Sequence, residues 1–344
     1  MKRKELIYII IVIILALCIK TADLLGPNKK LVTEKQIIIK SGSSARQIAE
    51  ELYRQELIKS RTLFNLIINL KGLENSLKAG VYNIKAEFGM LDIIDLLASG
   101  MVATFRVTIP EGFTVEEIAR RLAVLTSYSE EEFLRYARVN PGKDYLNDDM
   151  DIIYPLEGFL YPDTYIIPTE YKPGQILEVM LSVFESRWLE RLEAALDPAG
   201  ELETGLEVNR ELVSRYSIHE IMTIASLIEK EAKLDEEKPL VAAVIYNRLR
   251  ANMYLQIDAC IQYILGERKE RILYSDLRID SPYNTYLYPG LPPGPIANPG
   301  AEAIKAALNP ADVDYLFYFA LSDGSHVFTR SYSEHLRLQN EMRR

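Results

Sequence analysis

An α+β fold is predicted, with an N-terminal membrane anchor, a small strand-helix module and a larger mixed C-terminal domain. Three observations carry this. The first is an uncharged fourteen-residue run, Leu6 to Ile19, behind Lys2, Arg3 and Lys4. The second is a strand–Gly–x–Ser/Thr–helix pattern that occurs twice, as IIIKSGSSARQIAEEL (Ile37 to Leu52) and RVTIPEGFTVEEIARRL (Arg106 to Leu122). The third is a capped helix from Ser217, followed by a second helix, a long Tyr/Pro loop and a hairpin.

The N-terminus divides into a basic start (residues 1–5), a span (6–25) and a polar tether (26–35). Fourteen residues are short for a span and typical of a signal-peptide core. No small-x-small cleavage site follows, and Leu17 is too large for the position before a lipoprotein cysteine at Cys18. Snorkelling by Lys4 and Lys20 lengthens the apolar stretch. An uncleaved anchor with its basic end in the cytoplasm is therefore expected, and about 320 residues would lie outside the membrane. A cleaved secretion signal is the alternative.

Residues 36–150 form the expected N-terminal module. Gly42 aligns with Gly112, Ser44 with Thr114, and Leu52 with Leu122. The glycine makes the turn and the hydroxyl caps the helix. Val81 to Leu97 reads as a weaker third copy, with Gly89 displaced by two residues. Such units cannot bury a core alone and are expected to pack together. Binding glycan and acting as a spacer are both open to this module. Residues 151–344 form the larger domain, with a soft boundary, since Ile109 to Ala137 fits either half. It carries a long helix over Pro173 to Ala195, a polar break at Asp197 to Thr204, and a hairpin turning at Ser322-Asp323-Gly324.

The 344 residues are 48% hydrophobic and 26% charged, as in an ordered globular protein. A net charge of −9 argues against nucleic acid as a partner. The two cysteines, Cys18 and Cys260, make no disulfide framework. The three histidines lack metal-ligand spacing, so neither a metal nor another cofactor is expected.

One carboxylate stands out. Ser217 and Glu220 make a capping box, and the helix behind it has an apolar stripe of Ile218, Ile221, Met222, Ala225, Ile228 and Ala232. Glu229 falls within roughly 50° of the centre of that stripe. A carboxyl held among apolar groups favours its protonated form and can give a proton to a leaving glycosidic oxygen. The structural alternative pairs Glu229 with Arg248 on the next helix. Glu231 points away, to the surface or to a supporting role.

The loop SPYNTYLYPGLPPGPIANPG offers Tyr283, Asn284, Tyr286 and Tyr288, aromatic faces and an amide that suit sugar rings. Its prolines, Pro293 among them, stiffen it and display Asn298. Gln256 and Asp258 are polar groups placed to line a groove. Asp163 in EGFLYPDTY is a candidate second carboxylate or a turn anchor. His326 opens a strand and reads equally as structural.

ASLIEKEA, VIYNRLRANMYLQID, SPYNTYLYPGLPPGPIANPG and GSHVFTRSYSEH, in this order and behind LEGFLYPDTY, together resemble the YceG-like (MltG) family of endolytic murein transglycosylases. The resemblance covers the chain from the anchor on. It implies a single-pass enzyme of the cell membrane whose catalytic domain faces the cell wall, with an N-terminal module called LysM-like. Such enzymes cut β-1,4 bonds between N-acetylmuramic acid and N-acetylglucosamine in nascent peptidoglycan, leave 1,6-anhydro ends, and end strand elongation. The implied catalytic residue is the first Glu of E-K-E, Glu229. The substrate's own C6 hydroxyl is the nucleophile, so no second carboxylate is compulsory. The implied substrate-binding set is Asn247, Gln256, Asp258, Tyr283, Asn284, Tyr286, Pro293, Asn298 and Phe328. Peptidoglycan strands, the membrane and peptidoglycan synthases are the implied partners. One departure is local: Ile257-Asp258-Ala259-Cys260 stands where the family often has Ser-Asp-Pro-Thr. Two other readings compete, a non-catalytic wall-binding scaffold and a hydrolytic muramidase, which needs a second carboxylate.

Overall fold

The computed structural model describes residues 3–28, 34–40, 42–100, 103–197, 206–266 and 269–342. It divides into two compact units, one of residues 1–106 and 166–171, the other of residues 107–165 and 172–344.

In the first unit, α1 (Arg3–Leu25) is one helix of 23 residues. It coincides with the expected anchor. The side chains of residues 3–11 and Leu17, and all of residues 1–2 and 29–33 of the expected basic start and tether, lie outside the described residues. Among the described residues no helix is long and apolar enough to cross a membrane. There follow β1 (Lys35–Ile39), α2 (Ala45–Arg54), α3 (Arg61–Lys71), β2 (Gly80–Ile84) and α4 (Met90–Ser99). The strands β1 and β2 pair antiparallel, with Ile37 opposite Tyr82. Alternate residues of β1, Ile37 and Ile39, point into a core with Ile48, Leu52, Phe64, Ile68, Ile93 and Leu97. Ser44 accepts the Gln47 N–H while the Gln47 side chain accepts the Ser44 N–H, the capping box that starts α2. The first and third copies of the repeat therefore share one core. The helix α3 between them carries no repeat signature.

The second copy belongs to the other unit from Val107 on. The strand β3 (Thr104–Thr108) pairs with β4 (Thr164–Pro168), and α5 (Val115–Leu125) follows behind its Thr114–Glu117 capping box. One unit boundary lies at Arg106–Val107, and the stretch Ile109 to Ala137 that fitted either half falls in the second unit. The physical reason is where α5 buries its apolar face: it packs on α6 (Glu130–Ala137), and the carboxylate of Glu157 accepts the Val115 N–H at 3.1 Å.

The long helix expected over 173–195 is α7 (Pro173–Phe184), a π-helical turn (Glu185–Leu189) and α8 (Glu190–Leu196) in succession. Residues 198–205 of the polar break lie outside the described residues. The short α9 (Arg210–Val213) leads to α10 (Ile218–Glu231), α11 (Lys238–Arg250), α12 (Asp258–Leu265) and α13 (Ala301–Leu308). The hairpin is β5 (Phe317–Ala320) with β6 (His326–Thr329), Phe317 opposite Thr329, and α14 (Tyr332–Met342) closes the chain.

The helix α10 is the axis of this unit. Its apolar stripe is wider than the periodicity implies, because every residue from Ile221 to Ile228 is buried. It packs against α11, α12 and α13. Its two buried hydroxyls are satisfied locally: Thr223 donates to the His219 carbonyl, and Ser226 donates to the Thr223 carbonyl while accepting the Ile296 N–H. Burying each Ile or Leu here contributes about 1.5–3 kcal/mol. Cutting Ile224 or Leu227 to Ala would cost about 2–5 kcal/mol and loosen the helix that aims Glu229.

Candidate active site

The buried run of α10 ends at Ile228, and Glu229 is the first residue beyond it. Its side chain keeps 11% of its surface exposed. The cation beside it is Lys238, not Arg248. Lys238 Nζ lies 3.3 Å from Glu229 Oε2 and 2.9 Å from Asp235 Oδ1. Arg248 turns elsewhere, donating to the carbonyls of Leu316 and Leu255 and stacking over Phe317. Burial works against the charge on Lys238, but Asp235 and Glu229 outweigh it and hold its pKa above the ordinary lysine value. The Gly300 N–H, at the start of α13, also faces Glu229 Oε2, at 3.3 Å.

Three motifs distant in sequence converge on this point. Asn298 is fully buried. Its amide donates to the Phe113 carbonyl and to Glu157 Oε1, and its Oδ1 accepts the Leu160 N–H. Its backbone exchanges hydrogen bonds with the Gly112-Phe113 pair. Pro110-Glu111-Gly112, Glu157 to Leu160 and Ile296 to Gly300 are thereby locked together. Gly112, at φ 74°, turns tightly enough to pack on Glu229, and its carbonyl accepts a hydrogen bond from Lys230. Glu157 lies within this knot, and burial pushes its pKa up to about 8, against the opposing Val115 N–H.

The turn delivers a second acid. The Glu111 carboxyl lies against Gly300, whose added Cβ would fall 2.0 Å from Glu111 Cδ. Glu111 keeps much of its surface exposed, but partial desolvation of its carboxyl and then the charge of Glu229 raise its pKa, and Lys238 opposes them. Neither Glu111 nor Lys238 stood out in the sequence. The available signals were small: Glu111 replaces Ser41 at the same place in the repeat, and Lys238 puts a cation in the first turn of a helix, where the dipole disfavours it.

The other acid of E-K-E faces the hairpin. Glu231 Oε2 accepts the Tyr318 hydroxyl at 2.8 Å, and burial raises its pKa. It is a supporting residue for the hairpin, not a surface group. His326 is fixed by Glu237, which accepts from Nδ1 at 2.6 Å and from the backbone N–H at 2.9 Å. Asp163 accepts the Thr164 N–H and pairs with Arg187, the anchoring arrangement of its two readings.

The expected substrate set falls into two kinds. Gln256, Asp258, Tyr286, Pro293 and Phe328 keep exposed surface. Gln256 holds a left-handed backbone, φ 51°, and its N–H donates to the Thr285 carbonyl. Strain of this kind in a residue other than glycine costs about 1–3 kcal/mol and clusters at functional sites. Asp258 Oδ1 accepts the Tyr286 hydroxyl at 2.6 Å, and Asp258 acts electrostatically on Glu231, so these three residues lie together beside the E-K-E end of α10. Tyr283, Asn284, Asn298 and Asn247 are buried. The Asn284 amide donates to the Leu277 and Ile279 carbonyls, and that of Asn247 to the Val313 and Tyr315 carbonyls. In this conformation these residues shape loops. Pro293 accepts from His219 Nε2 and lines a groove of about 420 Å³ with Tyr216, Ser217 and Leu291. Cys260 is buried, and burial holds its thiol protonated and inert. Among the described residues no cluster of three or more His, Cys, Asp and Glu side chains is placed to hold a metal ion.

A family model described as YceG-like matches residues 37–341. The chain belongs to the YceG-like family. The endolytic murein transglycosylase of Bacillus subtilis (strain 168) is 35% identical over 327 residues, 91% of this chain and 86% of that protein. The endolytic murein transglycosylase of Streptococcus pneumoniae R6 is 30% identical over 90% of this chain, which spans 58% of that longer protein. A crystal structure of a yceG-like protein from Listeria monocytogenes, 31% identical, matches 89% of this chain and 99% of its own with a TM-score of 0.59.

Proposed function

We propose that this chain is a peptidoglycan lytic transglycosylase that cuts within glycan strands, with Glu229 as its proton donor and acceptor. The observation that carries the reading is Glu229 itself. It stands at the end of a wholly buried helix run, still open on one side, with a cation and a backbone N–H ready for its carboxylate. The relatives named endolytic murein transglycosylases supply the reaction class.

Protonated Glu229 gives its proton to the glycosidic oxygen as the C1–O bond of N-acetylmuramic acid breaks. Lys238 and the Gly300 N–H then stabilise the carboxylate. That carboxylate takes the proton of the C6 hydroxyl as O6 closes on C1. The proton count returns to its start and no water is consumed. Gln256, Asp258, Tyr286 and Phe328 are the proposed glycan contacts. Asn247, Tyr283, Asn284, Pro293 and Asn298 hold the loops that carry them.

The same proposal extends to location. Residues 6–25 anchor the chain in the cell membrane by a single span, and the second unit works on the extracytoplasmic side. The exposed apolar side chains of Val12, Ile13, Ile14, Leu15 and Ile19 support this. The β-α-α-β order of the first unit supports a LysM-like role toward glycan. Peptidoglycan synthases are the proposed protein partners.

Digestion of isolated glycan strands in ¹⁸O-labelled water, with mass analysis of the new ends, tests the reaction. Unlabelled anhydro ends are expected. Labelled reducing ends would make the protein a muramidase, and no release would make it a scaffold.

A further inference from the structure

The site holds a second carboxyl, and we propose that Glu111 and Glu229 form a coupled pair at the N-terminus of α13, with Glu111 as the positioning acid that keeps a proton in the site at neutral pH. This deepens, and rests on, the reading of Glu229 as proton donor.

The geometry starts from the Asn298 knot. The hydrogen bonds between Gly112-Phe113 and Asn298 fix the turn that carries Glu111. Glu229 takes the Gly300 N–H, and the Glu111 carboxyl occupies the space that a Gly300 side chain would fill. Gly300 has no side chain to cap α13, and the Ala301 N–H favours the Glu111 carboxylate. Two acids therefore share one helix terminus.

The charged groups facing the pair are few. Lys238 contacts Glu229 and draws on Glu111 as well. Asp235 adds a negative charge next to Lys238. Lys230, beside Glu229 in sequence, spends its ammonium on the Gly112 carbonyl.

This arrangement answers a difficulty in the mechanism. A proton donor needs its proton, yet Lys238 and the Gly300 N–H both favour a carboxylate. A second carboxyl alongside opposes double ionisation, because like charges this close disfavour the charged form. The negative charge of Glu229 thereby favours a proton on Glu111. The raised pKa of Glu111, caused by partial desolvation of an otherwise exposed side chain and then by Glu229, agrees with this. No proton is gained or lost in a turnover, since the one delivered to the leaving oxygen is replaced from the C6 hydroxyl.

Glu111→Gln keeps the shape and a hydrogen-bond acceptor for α13 but removes the charge. In the full-length protein in detergent, acting on isolated glycan strands, the alkaline limb of the pH–rate profile should move down by about one unit, an approximately tenfold loss on that limb. Gly300→Ala keeps Glu111 but pushes its carboxyl out, and the backbone at φ −80° accepts alanine. It should give the same shift. A purely structural Glu111 would leave both profiles on that of the wild type, and that result overturns the proposal. A readout independent of activity is the titration of the ¹³C-labelled Glu111 carboxyl. Its midpoint should fall in Glu229→Gln, and an unmoved midpoint also overturns the pairing. If the wild type cuts no glycan while that midpoint still moves, the pair stands and the transglycosylase reading fails.

Discussion

Lys238 Nζ lies 3.3 Å from Glu229 Oε2, and the two side chains are only 4% and 11% exposed. A lysine in the first turn of a helix works against the helix dipole, and one buried there also loses hydration. Asp235, at 2.9 Å, offsets part of that cost from the solvent side. The cation is thus held where it can stabilise the carboxylate that the proposed mechanism leaves on Glu229. A buried cation–carboxylate contact is weak support for stability, because desolvation opposes it. Its value here lies in charge placement.

Replacing Lys238 with Met should therefore act on turnover more than on binding. A hydrogen bond to a charged group is worth about 1.5–3 kcal/mol. The expected fall in kcat is about 10–100-fold with KM nearly unchanged. Steady-state kinetics on isolated glycan strands checks this. A risen KM with intact kcat would assign Lys238 to substrate binding instead.

Asn298 ties three segments through three side-chain hydrogen bonds, two of them buried and the third part-buried. Asn298→Ala should cost about 3 kcal/mol, since it leaves the Leu160 N–H without its acceptor and takes one donor each from the Phe113 carbonyl and the Glu157 carboxyl, which keep the Asn298 and Val115 backbone N–H groups. Urea denaturation with an unchanged slope would read this as a lowered midpoint. A loss below about 0.5 kcal/mol, the range of ordinary surface changes, would remove the knot from the account.

Glu157 gives a pH signature with a definite sign. Burial pushes its carboxyl's pKa up to about 8 in the fold, from an ordinary 4.5. Between those values the folded chain binds more protons than the unfolded one, so this group's contribution falls as pH rises and levels off above about 8. Glu157→Gln lacks that slope. Thermal melts of both proteins should converge, or cross in favour of the variant, as pH rises through this window. Parallel curves would contradict the burial of this acid.

Local chemistry was legible in the sequence. The N-caps at Ser44 and Thr114, the capping box at Ser217, the hairpin and the inward aim of Glu229 all follow from spacing, because caps and helix faces are set within a few residues. The partners of Glu229 were not. Glu111 lies 118 residues before it and is brought there by the hydrogen bonds of Asn298, which no periodicity reports. Lys238 is close in sequence, but only the packing of α11 on α10 separates it from an exposed lysine. The composition of the Tyr/Pro loop suggests a display of sugar-facing groups. Tyr283, Asn284 and Asn298 instead point inward, because a loop this rich in backbone without helix or sheet needs buried amides to satisfy it. The repeat was visible but its grouping was not, since two copies with the same pattern bury their faces in different units.

The most direct test of the account is the turnover of Glu229→Gln on isolated glycan strands, with circular dichroism to confirm the fold. The substitution keeps the size and the hydrogen bond from the Gly300 N–H but holds no transferable proton. Release of anhydro ends should drop by about 1,000-fold or more, within the range expected when both halves of the acid–base work are removed. A folded variant that still releases them at a tenth of the wild-type rate or better would contradict it.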